Sequence, residues 1–312
     1  MNILITGLHG FVGSNLVRFL ATRHTIYGVD IIAPEREGVV RTFLWEDLGK
    51  GVIPVVDVVI HLAGKAHDTK NETEADVYFK VNTGLTERIF DWFLRSGRGK
   101  FIFFSTAKAA ADRVDGVLTE EVVPAPVGPY GESKIAAEKY ILSGVGGLKE
   151  EQRYYILRPC MIHGPGNKGN LNLLYSVVSK GIPWPLGSFD NKRTFTSIGN
   201  LSFIIDALID KDIPSGIYNV GDDEPLSTNE LIELICRTLG KRPHIWHLSR
   251  GLMTFCAKVG TVLHLPLNEE RLRKLTENYV SSNEKIKLAI GVGRLPVDAR
   301  DGIVKTIESF RK

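Results

Sequence analysis

Cysteine is scarce in this chain: among 312 residues, only Cys160, Cys236 and Cys256 carry a thiol. No two of them form a Cys-x-x-Cys pair, and three widely spaced cysteines are typical of reduced thiols rather than of a disulfide framework. A structural zinc site built from cysteines is disfavoured for the same reason. We therefore predict free thiols and no bound metal.

Long hydrophobic runs are missing as well. The apolar stretch "GLMTFCAKVGTVLHLPL" at 251–267 is interrupted by Lys258 and His264, and it is shorter than the ~20 residues that a bilayer span needs. We predict a packed helix there, with a peripheral membrane contact as the alternative. The first residues, "MNILITGLHG", have no basic leader and too short an apolar run for a signal peptide, so we expect a cytoplasmic protein.

The chain also lacks a large excess of either charge. It has 39 Lys and Arg residues against 36 Asp and Glu residues, a formal net charge of +3, and no long basic run. Nucleic-acid binding therefore has no support. The hydrophobic content of 43% supports a sizeable core. The length suits one large α/β unit, or a nucleotide-binding domain with a smaller lobe.

What the sequence does contain is an alternation of strand-like and helix-like segments. The strand patterns are "NILIT", "TIYGVD", "DVVIHLA", "KFIFFS", "YYILRP" and "SGIYNVG", and helical patterns lie near 11–21, 75–97 and 132–142. Such alternation indicates a parallel sheet covered on both faces. We predict a doubly wound, Rossmann-like α/β domain over 1–165 that continues near 193–225. A small C-terminal lobe for the substrate would comprise 166–192 and 226–312, with helices near 227–239 and 246–263.

Three glycines follow the first predicted strand in "ITGLHGFVGSNLV". Gly7, Gly10 and Gly13 lie between that strand and the first predicted helix. Glycines in this context let the backbone approach a pyrophosphate at a helix N-terminus. The spacing GxxGxxG in this setting predicts a dinucleotide loop.

Asp30 ends the second predicted strand, a little over 20 residues beyond the glycines. A carboxylate there can accept hydrogen bonds from both adenosine ribose hydroxyls and would repel a 2′-phosphate. This position favours NAD over NADP. Two alternatives stay open, because Asp30 could cap a turn and because Arg36 and Arg41 lie close enough to accept NADP.

The chain resembles the extended short-chain dehydrogenase/reductase family, in its group of NAD-dependent nucleotide-sugar epimerases and dehydratases of the UDP-glucose 4-epimerase type. The motifs that carry the resemblance occur in the family's order: "TGLHGFVG", "HLAG", "VNTG", "FFST", "YGESK", "LRPCMIHGPG" and "RTFTSIGNL". The match extends from Met1 to about residue 225. It implies NAD as cofactor and a UDP-sugar as substrate.

The resemblance implies a set of cofactor contacts along the first half of the chain. Within it, Asp47 and Leu48 would frame the adenine, although an acidic turn explains them nearly as well, and Asn82 would order the backbone unless it is a plain helix-face residue. The full set is Gly7, Gly10, Phe11, Val12, Gly13, Asp30, Asp47, Leu48, Leu62, Ala63, Gly64, Asn82, Tyr130, Lys134 and Pro159.

The resemblance implies a catalytic triad of Thr106, Tyr130 and Lys134. Tyr130 and Lys134 are four residues apart in "PYGESKIAAEKY" and so share one helix face. A free phenol is a poor base at neutral pH, but a nearby ammonium and a positively charged nicotinamide both favour phenolate. Tyr130 would then accept the hydroxyl proton of a sugar. Thr106 would bind the reacting oxygen, and Lys134 would also hold the nicotinamide ribose.

The substrate contacts follow more loosely from the same resemblance. Asn170 and Arg193 match positions that grip a nucleotide diphosphate, and guanidinium suits bidentate phosphate binding. Arg273, or its neighbour Lys274, would give a second phosphate contact, unless it is an ordinary surface charge.

The chain departs from the dehydratase pattern directly after the threonine. Dehydratases of the family carry Asp-Glu there, and this chain has Ala107 and Lys108, so elimination of water lacks its acid/base pair. The favoured function is an NAD-dependent 4-epimerase of a UDP-hexose or UDP-N-acetylhexosamine, expected as a homodimer. The alternatives are an NAD(P)H-dependent 4-ketoreductase of a UDP-4-keto-6-deoxy-hexosamine and a non-catalytic NAD-binding protein.

Overall fold

The main element of the fold is a parallel sheet. A computed structural model of the chain describes residues 1–66, 74–167, 169–263 and 267–311. Its sheet has seven strands in the order β3-β2-β1-β4-β5-β7-β10, and two shorter parallel pairs join β6 to β11 and β8 to β9. The strands are β1 Asn2–Thr6, β2 Thr25–Asp30, β3 Arg41–Leu44, β4 Val58–His61, β5 Gly99–Phe104, β6 Val117–Leu118, β7 Gln152–Pro159, β8 Met161–His163, β9 Phe195–Ser197, β10 Gly216–Val220 and β11 Val280–Ser281.

The helices connect and cover the strands. The predicted helix over 75–97 is interrupted by a π-helical turn, Phe79–Thr83. The helices are α1 Phe11–Leu20, α2 Ala75–Tyr78, α3 Gly84–Ser96, α4 Ala107–Ala110, α5 Pro129–Gly144, α6 Asn170–Ser179, α7 Ile198–Asp210, α8 Thr228–Thr238, α9 Arg250–Val262, α10 Glu269–Thr276, α11 Glu284–Ile290 and α12 Ala299–Ser309.

The main sheet is buried on both faces. Ile3 and Ile5 of β1 pack in one apolar cluster with residues of α1 and α7, and Leu4 packs in the opposite cluster with residues of α3 and α5. Since successive side chains of a strand point to opposite faces, strands buried on both faces must be apolar almost throughout. This arrangement confirms the predicted doubly wound α/β fold.

The direction in which the strands are added reverses between β1 and β4. From β1 the sheet continues to β2 and β3 on one side, and from β4 to β5, β7 and β10 on the other. In sheets of this kind, ligands bind outside the carboxyl ends of the strands at such a switch point. The glycine loop after β1 and the segment after β4 meet there.

The predicted lobe has a core of its own, although part of it packs on the main sheet. Ile286 and Ile290 of α11 belong to the cluster on the α1 and α7 face. The division of the chain into two domains stays a prediction. Within the described ranges, no helix combines the length and the hydropathy needed to cross a bilayer. The core of the lobe contains Leu171, Val178, Leu231, Ile235, Ile303 and Ile307.

Candidate active site

The glycine loop after β1 is sterically restricted to glycine at two positions. Gly7 has a φ of +68°, and a β-carbon there would lie 2.8 Å from the backbone of Ala63. A β-carbon at Gly13 would lie 2.7 Å from the carbonyl oxygen of Gly7. Gly10 precedes α1, whose N-terminus receives no side-chain cap. The close backbone approach and the uncapped helix N-terminus fit a dinucleotide pyrophosphate.

Asp30 and Arg36 both lie against this loop. The Asp30 carboxylate accepts hydrogen bonds from the backbone nitrogens of His9 at 3.3 Å and Ile31 at 2.8 Å. Arg36 donates to the carbonyl oxygen of Leu8 at 3.0 Å. The structure therefore places two groups against the same loop: a carboxylate, which would favour NAD, and a guanidinium, which would favour NADP.

Arg41, the second arginine that could favour NADP, lies on β3. Its guanidinium carbon is 4.8 Å from the centroid of the Phe43 ring, where a cation is attracted to the ring face. Of the two arginines, Arg36 is thus the one with a direct contact to the glycine loop.

The residues predicted to frame the adenine have structural contacts of their own. The Asp47 carboxylate accepts from the Leu44 nitrogen at 3.0 Å and pairs with Lys50 at 3.1 Å, and these two groups lower the pKa of Asp47. Leu48 is buried with the apolar cluster that contains Phe43. Asp47 therefore has the structural role of an acidic turn residue, which was the alternative interpretation, and contact with adenine stays a prediction.

Phe11 and Leu62 border the loop from two directions. The Phe11 ring would lie 3.7 Å from a β-carbon at Gly164, which places it against the Gly/Pro-rich segment after β8. The backbone nitrogen of Leu62 donates to the Thr6 carbonyl oxygen at 3.2 Å. Pro159 is buried at the carboxyl end of β7. These positions surround the switch point of the sheet.

His61 lies fully buried beneath the cofactor loop, within a chain of hydrogen bonds. The Thr86 hydroxyl donates to the Asn82 carbonyl oxygen at 2.6 Å, so its oxygen accepts from Nε2–H of His61 at 2.9 Å. Nδ1 then accepts from the Thr6 hydroxyl at 2.6 Å, whose oxygen accepts from the Ala63 nitrogen at 3.1 Å. This neutral form agrees with burial, which lowers the pKa of His61 well below its ordinary value.

Asn82 connects the segment after β4 to α5. Its Oδ1 accepts from the Lys65 nitrogen at 2.7 Å, and its Nδ2 donates to the Ser133 hydroxyl at 2.9 Å. A β-carbon at Gly64 would lie 2.9 Å from that Oδ1 and 3.2 Å from Nζ of Lys134. The buried amide therefore holds the backbone beside Lys134, and the cofactor-site role that the resemblance implies for Asn82 stays a prediction.

The three residues of the predicted triad are brought together at the carboxyl end of β5. Thr106 caps α4, accepting from the Lys108 nitrogen at 3.3 Å, and its side chain lies close enough to Tyr130 to lower the pKa of that phenol. One turn along α5, the Lys134 Nζ donates to the Phe104 carbonyl oxygen at 2.7 Å. The hydroxyls and the ammonium thus face one edge of the sheet.

Burial acts on both members of the pair. It raises the pKa of Tyr130 above its ordinary value, and it lowers the pKa of Lys134 to about 8. At Tyr130, desolvation outweighs the lowering effect of the Thr106 side chain. The positive charge of an oxidised nicotinamide, which the expectation also includes, would therefore be needed to shift the phenol toward phenolate.

A buried ion pair that sequence reasoning missed lies beneath the triad. Glu138 and Arg158 are almost fully buried, and Nε and Nη2 of Arg158 contact the carboxylate at 3.0 Å and 2.6 Å. The Ser105 hydroxyl donates to the same carboxylate. Glu138 lies four residues beyond Lys134 and thus on the same helix face. That spacing was the available signal for Glu138 alone. The ion pair connects α5, which carries Tyr130, to β7.

The residues predicted to bind the diphosphate are exposed or only partly buried. Arg193 is half-buried, donates to the Lys274 carbonyl oxygen at 3.0 Å and lies 3.8 Å from Glu277. Asn170 is exposed at the first residue of α6. The Lys274 ammonium pairs with Glu270 at 2.6 Å, which leaves Arg273 as the better candidate for the second phosphate contact.

The lobe reaches the catalytic edge through Tyr279. Its hydroxyl donates to the Ala111 carbonyl oxygen at 2.9 Å, and the Lys108 ammonium lies 4.7 Å from its ring centroid. The charges of Arg193 and Lys108 both act on the buried Cys160 thiol, whose pKa burial raises to about 12. Cys160 directly follows β7, so these two cations lie near the carboxyl edge of the sheet, where the triad also lies.

Comparison with known proteins agrees with this geometry. The chain matches the model of the NAD dependent epimerase/dehydratase family over residues 3–221. The UDP-glucose 4-epimerase of Vibrio cholerae is 33% identical over 258 residues, covering 77% of this chain and 76% of that protein. The GDP-6-deoxy-D-mannose reductase of Pseudomonas aeruginosa is 27% identical over 251 residues, covering 75% and 78%.

Solved structures show the same fold. MoeE5 in complex with UDP-glucuronic acid and NAD superposes with a TM-score of 0.76 at 22% identity, over 100% of this chain and 99% of that chain. The chain belongs to the NAD-dependent epimerase/dehydratase family. The resemblance seen in the motifs is thereby confirmed, and with it the expected NAD dependence and an enzymatic role within this family.

Proposed function

We propose that the protein is a 4-epimerase of a UDP-hexose or a UDP-N-acetylhexosamine. The observation that carries the proposal is the placement of Thr106 and Tyr130 together with Lys134 at the carboxyl end of β5, with Ala107 and Lys108 in place of the dehydratase acids. Proton transfer at a secondary hydroxyl needs only one base. The site therefore has the groups for oxidation and reduction at one carbon and lacks those for elimination.

The residues that would hold NAD are those around the switch point. The glycine loop would receive the pyrophosphate, Asp30 the adenosine ribose, and Lys134 the nicotinamide ribose. When bound, NAD would accept hydride from C4 of the sugar and return it to the opposite face of the resulting 4-keto group.

The chain's own groups handle the proton. Thr106 would hydrogen-bond the 4-hydroxyl, and the Tyr130 oxygen would accept its proton as the C4–H bond breaks. The same phenol would give the proton back when the carbonyl is reduced again. Arg193, Arg273 and Asn170 would bind the UDP diphosphate, and charge-assisted bonds from the guanidinium groups would make the strongest contacts.

Incubation with UDP-hexoses and UDP-N-acetylhexosamines tests the proposal. We expect protein purified without added cofactor to contain NAD(H) and to interconvert two sugar epimers with no net change at the nicotinamide absorbance band. Mass spectrometry of the cofactor together with chromatography of the sugars measures both.

A 4-ketoreductase of a UDP-4-keto-6-deoxy-hexosamine is the second candidate, and the similarity to the Pseudomonas reductase favours it. A reductase must release oxidised cofactor after each cycle. Protein that is purified without cofactor, leaves the UDP-hexoses unchanged and oxidises NADH or NADPH stoichiometrically with a 4-keto-6-deoxy sugar nucleotide would replace the epimerase proposal. The homodimer and the cytoplasmic location stay predictions, which light scattering and cell fractionation address.

A further inference from the structure

The outer face of α9 is an exposed apolar strip. On the inner face, Met253, Ala257 and Gly260 are buried against the rest of the lobe. The outer face carries five large apolar side chains at helical spacing, each at least one third exposed. We call these residues the α9 strip: Leu252 at 49%, Phe255 at 64%, Val259 at 37%, Val262 at 75% and Leu263 at 61%.

The strip is continuous and has a polar border. With 3.6 residues per turn, its five residues fall within an arc of about 100°. Lys258 is exposed at the edge of that arc, and Thr254 and Thr261 lie on the far flank. A helix with an apolar face that is left exposed in this way is typical of elements that bind another surface.

Within the segment that carries the strip, the charged residues have one sign. From residue 234 to residue 268 the sequence contains no Asp or Glu. Glu269 is the first acid after this segment, and its backbone nitrogen donates at 3.1 Å to the hydroxyl of Thr261, on the far flank of the helix. The segment also has an exposed tryptophan, Trp246, at 54%. Its Lys and Arg residues are Arg237, Lys241, Arg242, Arg250 and Lys258.

We propose that the α9 strip binds the surface of an anionic lipid bilayer. Aromatic and aliphatic side chains on one helix face, with Lys258 at its edge and no Asp or Glu in the helix itself, match the chemistry of a headgroup region that contains acidic lipids. The helix would lie in the plane of the membrane without crossing it.

The size of the strip favours a bilayer over a second copy of the chain. A helix of 13 residues is about 20 Å long and about 10 Å wide, so one face covers about 200 Å². A stable protein interface buries about 800 Å² on each partner. Binding of an amphipathic helix to a bilayer depends on its buried apolar area and on its attraction to anionic lipids rather than on a set length.

The strip is connected to the predicted substrate side of the lobe. Met253 and Ala257 of α9 pack with Leu272 of α10, and Arg193 donates to a carbonyl oxygen of the same helix, that of Lys274. A bilayer bound to α9 would therefore lie close to α10, the helix that Arg193 contacts.

Flotation of the full chain with lipid vesicles tests the proposal. We expect binding to vesicles of phosphatidylcholine with phosphatidylglycerol, reduced by salt, and at least about tenfold weaker binding to phosphatidylcholine alone. Phe255→Glu should weaken binding to the anionic vesicles by about tenfold or more. Thr254→Glu adds the same charge on the polar flank of the same helix and should change binding by about twofold or less.

Val262→Glu is a second strip variant in case Phe255→Glu fails to fold, and thermal unfolding of all variants checks their integrity. No flotation with anionic vesicles, equal binding to both vesicle types, or equal effects of Phe255→Glu and Thr254→Glu would overturn the proposal. An oligomer of the unaltered chain that Phe255→Glu dissociates in light scattering would also overturn it, because the strip would then bind a second copy.

Discussion

The catalytic edge of the main sheet and the C-terminal lobe hold their charged groups in different ways. At the edge, Lys134, Glu138 and Arg158 are buried, and each makes hydrogen bonds of 3.0 Å or less. In the lobe, Lys274 remains exposed in its ion pair with Glu270, and Arg193, at the start of the 193–225 continuation of the main domain, is partly exposed beside Glu277. The comparison indicates that the charged groups near Tyr130 are fixed by strands and a long helix, whereas the predicted substrate contacts lie on shorter and more exposed elements.

The largest expected effect is on turnover, at the catalytic edge. Tyr130→Phe should retain the fold and cofactor binding but lower turnover by about 10²- to 10⁴-fold, because the ring still packs while the proton acceptor is lost. Tyr140→Phe is the matched control on the same helix, since it removes a hydroxyl that donates to Asp91 at 2.8 Å. Steady-state kinetics on the epimerised sugar measures both, and near-normal turnover of Tyr130→Phe would reject the assignment.

The second prediction compares the buried pair with an exposed pair. Glu138→Gln should lower the free energy of unfolding by about 3–5 kcal/mol, because it leaves the Arg158 charge buried without its partner. Glu270→Gln breaks the exposed pair with Lys274 and should cost about 0–1 kcal/mol. Urea unfolding measures both. Equal costs for the two variants would contradict the difference between edge and lobe.

The third prediction concerns substrate binding at Arg193. If the proposed function holds, Arg193→Ala should raise KM for the UDP-sugar by about 10- to 100-fold through loss of charge-assisted hydrogen bonds to the diphosphate. Lys274→Ala serves as the control, because its ammonium is paired with Glu270. An unchanged KM in Arg193→Ala, with a lower unfolding temperature, would show that the arginine only supports the lobe through Lys274 and Glu277.

The fourth prediction tests how Asp30 and Arg36, the two charged residues at the glycine loop, each affect the preference between NAD and NADP. Asp30→Asn should raise the affinity for NADP relative to NAD by about 5- to 10-fold, since the repulsion between two charges about 4 Å apart in water is worth about 1 kcal/mol. Arg36→Ala should change the same ratio in the opposite direction. Calorimetric titration with each cofactor gives the ratios, and a shift of both variants in one direction would refute this division of roles.

The last prediction concerns the pH dependence of stability. Burial holds the pKa of His61 well below its ordinary value of 6.5, so between that value and its folded pKa the unfolded chain binds a proton that the native chain does not. Stability should be complete above about pH 6.5 and fall below it by up to about 1.4 kcal/mol per pH unit. His61→Gln should reduce this slope, whereas His247→Gln, at an exposed site of the lobe, should not. Identical slopes in all three proteins would exclude His61 as the source.

Contacts within one element were predictable from the sequence. The neighbours Tyr130 and Lys134 follow from helical spacing, and the glycine loop follows from its position between a strand and a helix. Residue type alone was less informative: Asp47 serves as a turn cap as well as a candidate adenine contact. Local rules cannot separate two such uses of one carboxylate, because both place it at the same turn.

The sequence by itself determined the order of the strands and helices, the glycines at close backbone approaches and the helix face of the catalytic pair, since each depends on residues a few positions apart. Only the tertiary structure decided that Arg36 reaches Leu8, that Arg158 pairs with Glu138, and that Tyr279 closes on Ala111 across 168 positions. It likewise raised the pKa of Tyr130, because desolvation depends on what packs around the phenol. Such effects arise when segments that are distant in the sequence pack together in the core. The spacing of residues along the chain does not show which segments will do so.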